Sequence, residues 1–242
     1  MKVSTVDLHR TLASLRYRVR YSGLRGVLWR VFEDCLAPIG QVGLESICRK
    51  DLAVPLVDMT PRADVDISVA TEDDIDQLVG LVESNWHDSD EVGPYTELGG
   101  RGTIVDRFQR GEKCFVAKIG TDIVHYNWIA FDREEAIAGT GLIVCLTDGQ
   151  EAVCHDGFTV EAWRGMGIHP AVNSAMLRWL KESGYRYAYT VVGTVSRSSN
   201  ITHHRLDWEF TGVMLYLISR RTGKARVWRL KGTLAPFHKT AT

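Results

Sequence analysis

Apolar residues recur at every third or fourth position in two stretches of the chain, with charged residues between them, which is typical of amphipathic helices. The first stretch runs from Leu24 to Cys35, and we expect residues 1–50 to be rich in helix. The second follows Pro170 and ends before Gly184. Proline lacks the N–H that a first helical turn leaves unpaired, and glycine adopts the left-handed conformation that often ends a helix.

Between these helices, short runs of apolar and polar residues alternate, and this pattern predicts strands. A strand from Asp66 leads into a helix over residues up to 84, where Thr71 and Asp74 fit a capping box. The other predicted elements are a short helix at 103–110, strands at 113–119, 122–131, 151–160 and 185–192, and hairpin turns at Gly120-Thr121, Asp148-Gly149 and Arg221–Lys224.

This order of elements predicts an α/β (α+β) fold with a mixed, mostly antiparallel central sheet, helices on its faces and one parallel crossover. Two prolines within residues 54–66 indicate a linker. We therefore divide the chain into a basic helical extension and linker (1–60), a main domain (61–235) and a short tail (236–242) that we expect to be frayed.

Composition narrows the function classes. The net charge of −1 gives no general attraction to nucleic acid, although residues 1–50 carry nine Lys or Arg against four Asp or Glu. No apolar run is long enough for a transmembrane helix, and the start lacks the apolar core of a secretory signal. Five widely spaced cysteines without a C-x-x-C pair indicate neither a zinc site nor a disulfide framework, so we expect reduced thiols and a cytoplasmic protein.

The turn from Arg164 to His169 carries the clearest chemical signal. It holds two glycines and joins the strand that ends at Val160 to the N-terminus of the second amphipathic helix. Unpaired backbone N–H groups and the positive end of a helix dipole would meet there, which suits a phosphate group, and Arg164 could add charge. The alternative is a tight connection that binds nothing. Neither a Walker loop nor G-x-G-x-x-G is present.

The run Arg164-Gly165-Met166-Gly167-Ile168, in this strand-turn-helix context, resembles the acyl-CoA motif of the GNAT superfamily of N-acetyltransferases. The order of elements over residues 66–232 is also similar. The resemblance implies acetyl-CoA or another acyl-CoA as co-substrate, no metal, and transfer of the acyl group by direct attack of an amine. It assigns the pyrophosphate to residues 164–169, with His169 where the family has a small residue, and the acyl arm to backbone groups of Phe158 and Val160.

Attack by an amine requires that the ammonium first lose a proton, so a base is expected on the strand that precedes the turn. His155 and Asp156 are the candidates, and a bulge at Gly157 would change which side chains share a face. A structural histidine and a turn aspartate are the alternatives. Cys154 is expected in the core. The resemblance adds Asn200, but neither Asp207 nor Trp208 supplies the tyrosine that the family often uses as general acid.

Two aromatic pairs are candidates for the acceptor site: Tyr126 with Trp128, and Tyr187 with Tyr189. Packing is the alternative for the second pair and a half-exposed strand face for the first. His203 and His204 have no third ligand at metal spacing, so we interpret them as non-metal residues.

The acceptor is expected to be a small-molecule primary amine. Alternatives are a long-chain or acyl-carrier-protein donor, or a silent domain that only binds acyl-CoA. The basic first fifty residues could cover a sheet edge, form a homodimer or touch a carrier protein through Arg16, Arg18, Arg20, Arg25 and Arg30.

Overall fold

The computed structural model describes residues 24–29, 31–88, 100–131, 133–135, 142–146 and 149–239. Eight strands form one sheet in the order β10-β9-β1-β8-β7-β4-β3-β2. Among these strands β7 and β8 are parallel, and the other neighbouring pairs are antiparallel. The strands are β1 (Gly40–Asp51), β2 (Asp66–Val69), β3 (Lys113–Ile119), β4 (Asp122–Ala130), β7 (Glu151–Thr159), β8 (Tyr187–Gly193), β9 (Glu209–Ser219) and β10 (Ala225–Gly232).

Helices cover both faces of this sheet. Residues 24–29 and 31–36 are helical and are together called α1; the others are α2 (Ile75–Asp88), α3 (Arg101–Gln109), α4 (Ile168–Glu182) and α5 (Arg197–Arg205). Helices α4 and α5 share one core with β7 and β8, through residues such as Val172, Leu206 and Cys154. Helices α2 and α3 share a second core with β3 and β4 on the opposite face.

A smaller sheet of β5 (Arg133–Glu135), β6 (Leu142–Cys145) and β11 (Phe237–Lys239) has the order β11-β6-β5. Its Phe237 is buried in a third core against β1, β8 and β9. The hairpin predicted around Asp148-Gly149 is therefore wrong, because β6 and β7 lie in different sheets. The prediction of a frayed tail is also wrong for residues 237–239, which pair with β6.

The N-terminal segment differs most from the prediction. Residues 40–51 form neither helix nor linker but strand β1, which pairs with β8 on one side and β9 on the other. Ile47 and Cys48 of this strand are fully buried, one in each face of the sheet. The expected helical extension is thus limited, among described residues, to α1, and residues 1–23 lie outside the described part.

The remaining elements follow the sequence closely. The β3–β4 and β9–β10 hairpins turn where predicted. The Asp74 carboxylate accepts the Thr71 N–H at 3.0 Å, as in the predicted capping box. Helix α4 is followed by Gly184 with a positive φ of 88°. None of the helices in the described ranges is both long and apolar enough to cross a membrane.

Candidate active site

The parallel strands β7 and β8 separate after a short paired segment. They pair from Glu151 opposite Tyr187 to Val153 opposite Tyr189, and beyond that point no pairing joins them. A cleft of about 190 Å³ opens there. Its walls come from β7 (residues 154–157), β8 (residues 190–193) and the polar side chains of Asn127, His169, Asn173, Ser196, Ser199 and His203. The sheet thus provides an opening between two neighbouring strands.

A β-bulge in β7 sets the direction of the side chains at this cleft. Trp128 lies opposite His155 and Tyr126 opposite Phe158, so β7 has one residue more than β4 between these pairs. Asp156, within the bulge, has a positive φ of 48°. The extra residue places His155 and Phe158 on the same face of the sheet, the face that carries α2 and α3.

The glycine turn has the geometry of an anion site. Gly165 and Gly167 have φ of 82° and 78°, and Gly167 is the N-cap of α4. In the described part of the chain, no backbone acceptor binds the N–H groups of Gly165, Met166 or Gly167. The Met166 carbonyl, in contrast, accepts the Arg62 N–H at 2.8 Å, which holds the turn against the segment before β2. The turn therefore presents donors together with a helix N-terminus.

Arg164 is turned back toward β7. Its Nε donates to the Thr159 carbonyl at 3.0 Å, and its guanidinium lies over the Phe158 ring, 5.6 Å from the centroid. Ile168 is buried in the core under α4. The side chains of Arg164 and Ile168 thus point elsewhere, and the backbone N–H groups of the turn are the donors that remain for a pyrophosphate.

The expected backbone contacts at Val160 do not fit the structure. Its N–H donates to the Val124 carbonyl at 3.0 Å, and its carbonyl accepts the Trp163 N–H at 2.9 Å. Backbone groups alternate in direction along an antiparallel pair, so Phe158 also turns its groups toward β4. The prediction for Phe158 and Val160 is therefore not supported. Residues 154–157 of β7 line the cleft, so Gly157 is the nearest residue of this stretch that borders it.

His155 is tied to a buried carboxylate. Its Nε2 lies 3.1 Å from Glu112 Oε2, and the Glu112 side chain is only 3% exposed. Burial alone would raise the pKa of Glu112, but the hydrogen bond with His155 and the charges of His155, Arg110 and Arg107 bring it below its ordinary value. A carboxylate in this position orients the imidazole and stabilises its protonated form.

Asp156 has a different environment. Its carboxylate forms an ion pair with Arg107, whose guanidinium also lies over the Trp128 ring, 5.1 Å from the centroid. Asp156 is more exposed than His155, at 41% against 13% for the side chains. Both side chains border the cleft. The histidine, with its buried acceptor, is arranged more like a base, whereas the aspartate is neutralised by arginine.

The neighbouring Cys154 is buried, and burial raises the pKa of its thiol to about 12. It is protonated at neutral pH and packs in the core under α4, as predicted.

The aromatic candidates lie away from the cleft. Tyr126 and Trp128 are at most 2% exposed and pack against α2 and α3, so β4 is buried on both faces rather than half-exposed. Tyr189 donates to Glu151 Oε1 at 2.9 Å in the core under the small sheet. Tyr187 lies between Arg49 and Arg186. These positions correct the prediction of an acceptor site lined by the four rings.

Asn200 supports a loop and does not border the cleft. Its amide nitrogen donates to the carbonyls of Gly193, Thr194 and Ser196 at 2.6–3.1 Å. It thereby joins the end of β8 to α5 and does not meet the reacting groups. Two residues of α5 border the cleft, Ser199 and His203, and the sequence analysis had set His203 aside as a non-metal residue.

His169, which lines the cleft, contacts a second histidine and an asparagine. The rings of His125 and His169 lie 5.3 Å apart, and Asn173 Nδ2 lies 3.3 Å from His169 Nδ1. Burial, and then the charge of His203, lower the pKa of His169 to about 4, so it is neutral at physiological pH. His169 therefore adds no positive charge at the turn. Within the described ranges, no group of three or more His, Cys, Asp or Glu side chains could hold a metal ion.

Comparison with known proteins agrees at the level of the fold. The sequence matches no protein-family model, and no curated protein matches it. A Novosphingobium aromaticivorans protein named for the GNAT family of acetyltransferases has a similar structure, with a TM-score of 0.51, 11% identity, and coverage of 84% of this chain and 67% of that one. The chain has the GNAT fold, and it spans about two thirds of the longer matched structures.

Two smaller structures are also similar. One is a predicted acetyltransferase from Clostridium acetobutylicum with acetyl-CoA, with a TM-score of 0.46, 14% identity, and coverage of 61% of this chain and 92% of that one. The other is an aminoglycoside acetyltransferase from an uncultured soil sample in complex with sisomicin, with a TM-score of 0.43, 16% identity, and coverage of 59% and 87%.

Proposed function

We propose that this protein is an acyl-CoA-dependent N-acyltransferase that moves an acyl group, in the first place acetyl, to a primary amine of a small molecule. The observation that carries the proposal is the cleft where β7 and β8 separate, with the glycine turn at the N-terminus of α4 beside it. The opening suits an extended thioester arm. The turn offers backbone donors to the phosphates of the same molecule.

The donor would be held by backbone groups. The N–H groups of residues 165–169, apart from those used within the helix, would bind the pyrophosphate, since Gly165 and Gly167 allow a close approach. Gly157 would offer backbone groups to an amide of the arm, because it borders the cleft at the bulge of β7. This arrangement would leave the thioester among the polar side chains of the cleft.

The acceptor would lose its proton to His155. An ammonium is not a nucleophile, and an imidazole nitrogen can accept its proton. Glu112 would hold the ring in place and stabilise the imidazolium that forms. The neutral amine would then attack the thioester carbonyl directly, without an acyl-enzyme, since the Cys154 thiol is buried and protonated.

The turn is tested by calorimetric titration with acetyl-CoA and CoA. We expect Gly167→Asp to weaken binding at least about tenfold, or about 1.4 kcal/mol, since it adds a negative charge to the turn that would bind the phosphates. Gly184→Asp is the matched control, because Gly184 has a similar φ of 88° but lies beyond the other end of α4. It should bind like the wild type.

Turnover is followed as release of free thiol from acetyl-CoA with a panel of small primary amines. Equal loss of binding in both glycine variants would show that backbone strain, not the phosphate site, is responsible. No binding of acetyl-CoA by the wild type would overturn the proposed function. Binding without turnover on any amine would identify an acyl-CoA-binding domain instead.

A further inference from the structure

Acyl transfer from a thioester to an ammonium releases two protons, and the proposed function accounts for one. The first leaves the ammonium before attack. The second leaves the nitrogen after the C–N bond forms, while the C–S bond breaks and a thiolate departs. A thiol has a pKa of about 8.5, so the sulfur leaves more readily when it receives a proton while the C–S bond breaks. His155 lies on the face of α2 and α3, and this second transfer calls for a group near the sulfur.

His203 borders the cleft from the other face of the sheet. It belongs to α5, which is followed by Leu206 and Trp208 in the core that α4 shares, and it is only 4% exposed. Its ring packs on Trp208, with centroids 5.2 Å apart. The two histidines therefore approach the same opening from opposite faces, one from each side of the separated strands.

The hydrogen bonds of His203 fix its tautomer. Its Nδ1 lies 2.7 Å from the Ser199 carbonyl, which can only accept, so Nδ1 carries the proton. Among the described residues Nε2 has no hydrogen-bond partner, and it is the remaining polar atom of a ring that borders the cleft. A neutral imidazole held in this way presents a lone pair, not an N–H, to the cleft.

We propose that His203 is a second catalytic residue, which takes the proton from the nitrogen of the tetrahedral intermediate and gives it to the departing sulfur. The amine nitrogen forms its bond to the carbonyl carbon and passes one proton to Nε2. The C–S bond then breaks, its electron pair stays on sulfur, and the imidazolium returns the proton there. The ring ends as it began, and the products are an amide and a thiol. This assignment rests on the proposed function.

The surroundings of His203 suit this task. Burial lowers the pKa of its imidazole, the hydrogen bond to Ser199 opposes that effect, and the charge of His204 adds to it. The ring is therefore neutral before the reaction, and its imidazolium is a strong enough acid to protonate a thiolate. His169 from α4 also lies close enough to interact with it electrostatically. His169 is the second residue of α4, and its ring packs against His125. It therefore lies at the glycine turn.

Histidine ¹⁵N NMR tests whether Nε2 meets the sulfur and needs no acceptor amine. The full-length protein is labelled at histidine, and the His203 signal is assigned by its loss in His203→Gln. We expect CoA to shift the Nε2 resonance of His203 clearly, and desulfo-CoA, which lacks only the sulfur atom, to shift it far less. Equal shifts from both ligands would place the sulfur elsewhere and overturn the assignment.

Kinetics test the proton transfer. We expect His203→Gln to lower kcat by about 10²–10⁴-fold while the Kd for CoA stays within about twofold. His204→Gln is the matched control, because His204 is the next residue of α5, is exposed and stacks on Phe210. Added imidazole should restore part of the turnover in His203→Ala, which it would not do for a purely structural ring.

The outcomes separate the two proposals. A His203→Gln variant with kcat within about threefold of the wild type overturns this inference and leaves the N-acyltransferase proposal intact. So does a His203→Ala variant that loses CoA binding together with turnover and regains neither with imidazole. Failure of the wild type to bind acetyl-CoA overturns the proposed function itself.

Discussion

At the scale of single residues, the inserted residue in β7 decides which side chains can take part in chemistry. The bulge at Asp156 and Gly157 turns His155 toward the buried Glu112 and leaves Asp156 paired with Arg107. Gly157 of the bulge borders the cleft, whereas Phe158 and Val160 do not. The sequence suggested a bulge at Gly157, but its consequences depend on the pairing with β4.

His155 is the residue whose loss should affect turnover most on its face of the cleft. We expect His155→Gln to lower kcat by about 10²–10⁴-fold, since glutamine cannot accept the ammonium proton, with the Kd for CoA unchanged. Steady-state kinetics and calorimetry on the same samples check this, with His204→Gln as control. A larger loss in Asp156→Asn than in His155→Gln would make Asp156 the base.

Glu45 of β1 is expected to destabilise the fold above acidic pH. Burial, and then the charge of Glu33, raise its pKa from 4.5 to about 8. The folded state therefore binds a proton more tightly than the unfolded state, and stability falls as pH rises from 4.5 to about 8. Glu45→Gln should be more stable than the wild type at pH 8.5 and equally stable near pH 4.

Urea unfolding at several pH values between these limits measures the difference for Glu45→Gln. Glu33→Gln is the companion variant, which removes only the repulsion and should give a smaller gain of the same sign. A difference between Glu45→Gln and the wild type that is independent of pH would contradict the argument.

At the scale of elements, β1 links parts of the chain that are distant in sequence. It lies between β8 and the β9–β10 hairpin, and its Lys50 reaches the end of α5. The Lys50 side chain is 1% exposed, and Nζ donates to the Leu206 carbonyl at 2.7 Å and the Asp207 carbonyl at 3.2 Å. These carbonyls belong to the two residues that follow α5, Leu206 being its C-cap. β1 therefore also holds the helix that carries His203.

Lys50→Met is expected to lower the free energy of unfolding by about 1–3 kcal/mol, since it leaves buried carbonyls unpaired. Arg49→Met is the matched control on the same strand, because Arg49 pairs with Glu209 at the surface, with side chains 39% and 60% exposed. An exposed pair contributes about 0–1 kcal/mol. Equal effects of the two substitutions on urea unfolding would show that the cap of α5 is unimportant.

At the scale of the whole molecule, one half of the sheet is formed by strands that are far apart in the chain. β1 comes from the N-terminal part, β9 and β10 from the C-terminal part, and the buried Ile47 packs with Met214 and Tyr216. Residues 40–51 are thus part of the main sheet and not of a separate extension. In contrast, α1 exposes Leu24, Leu28, Val31 and Phe32, so it contributes less to the core.

Two shortened chains test this arrangement. We expect a chain that starts after residue 52 to lack a cooperative thermal transition, since it loses a strand with two neighbours and the buried Ile47. A chain that starts at residue 39 keeps β1 and should unfold cooperatively. Differential scanning calorimetry compares them, and a cooperative transition in the first chain would show that residues 61–235 fold alone.

The sequence by itself determined the elements whose signals are local. These signals depend only on neighbours within a few residues, so the positions of the elements were predictable. They are the apolar periodicity, the Thr71 capping box, the glycines around α4 and the turns of the β3–β4 and β9–β10 hairpins. The glycine turn and His155 were found for the same reason. The GNAT-like order of elements followed from these signals.

Only the tertiary structure decided the long-range pairings. Three of these pairings depend on contacts between residues far apart in the chain. β1 lies between β8 and β9, β6 is separated from β7, and β11 pairs with β6. The same holds for Glu112 beside His155 and for His203 at the cleft. The sequence of β1 does not show which strands it pairs with. Its burial on both faces and its pairing on both edges are set by the assembled sheet.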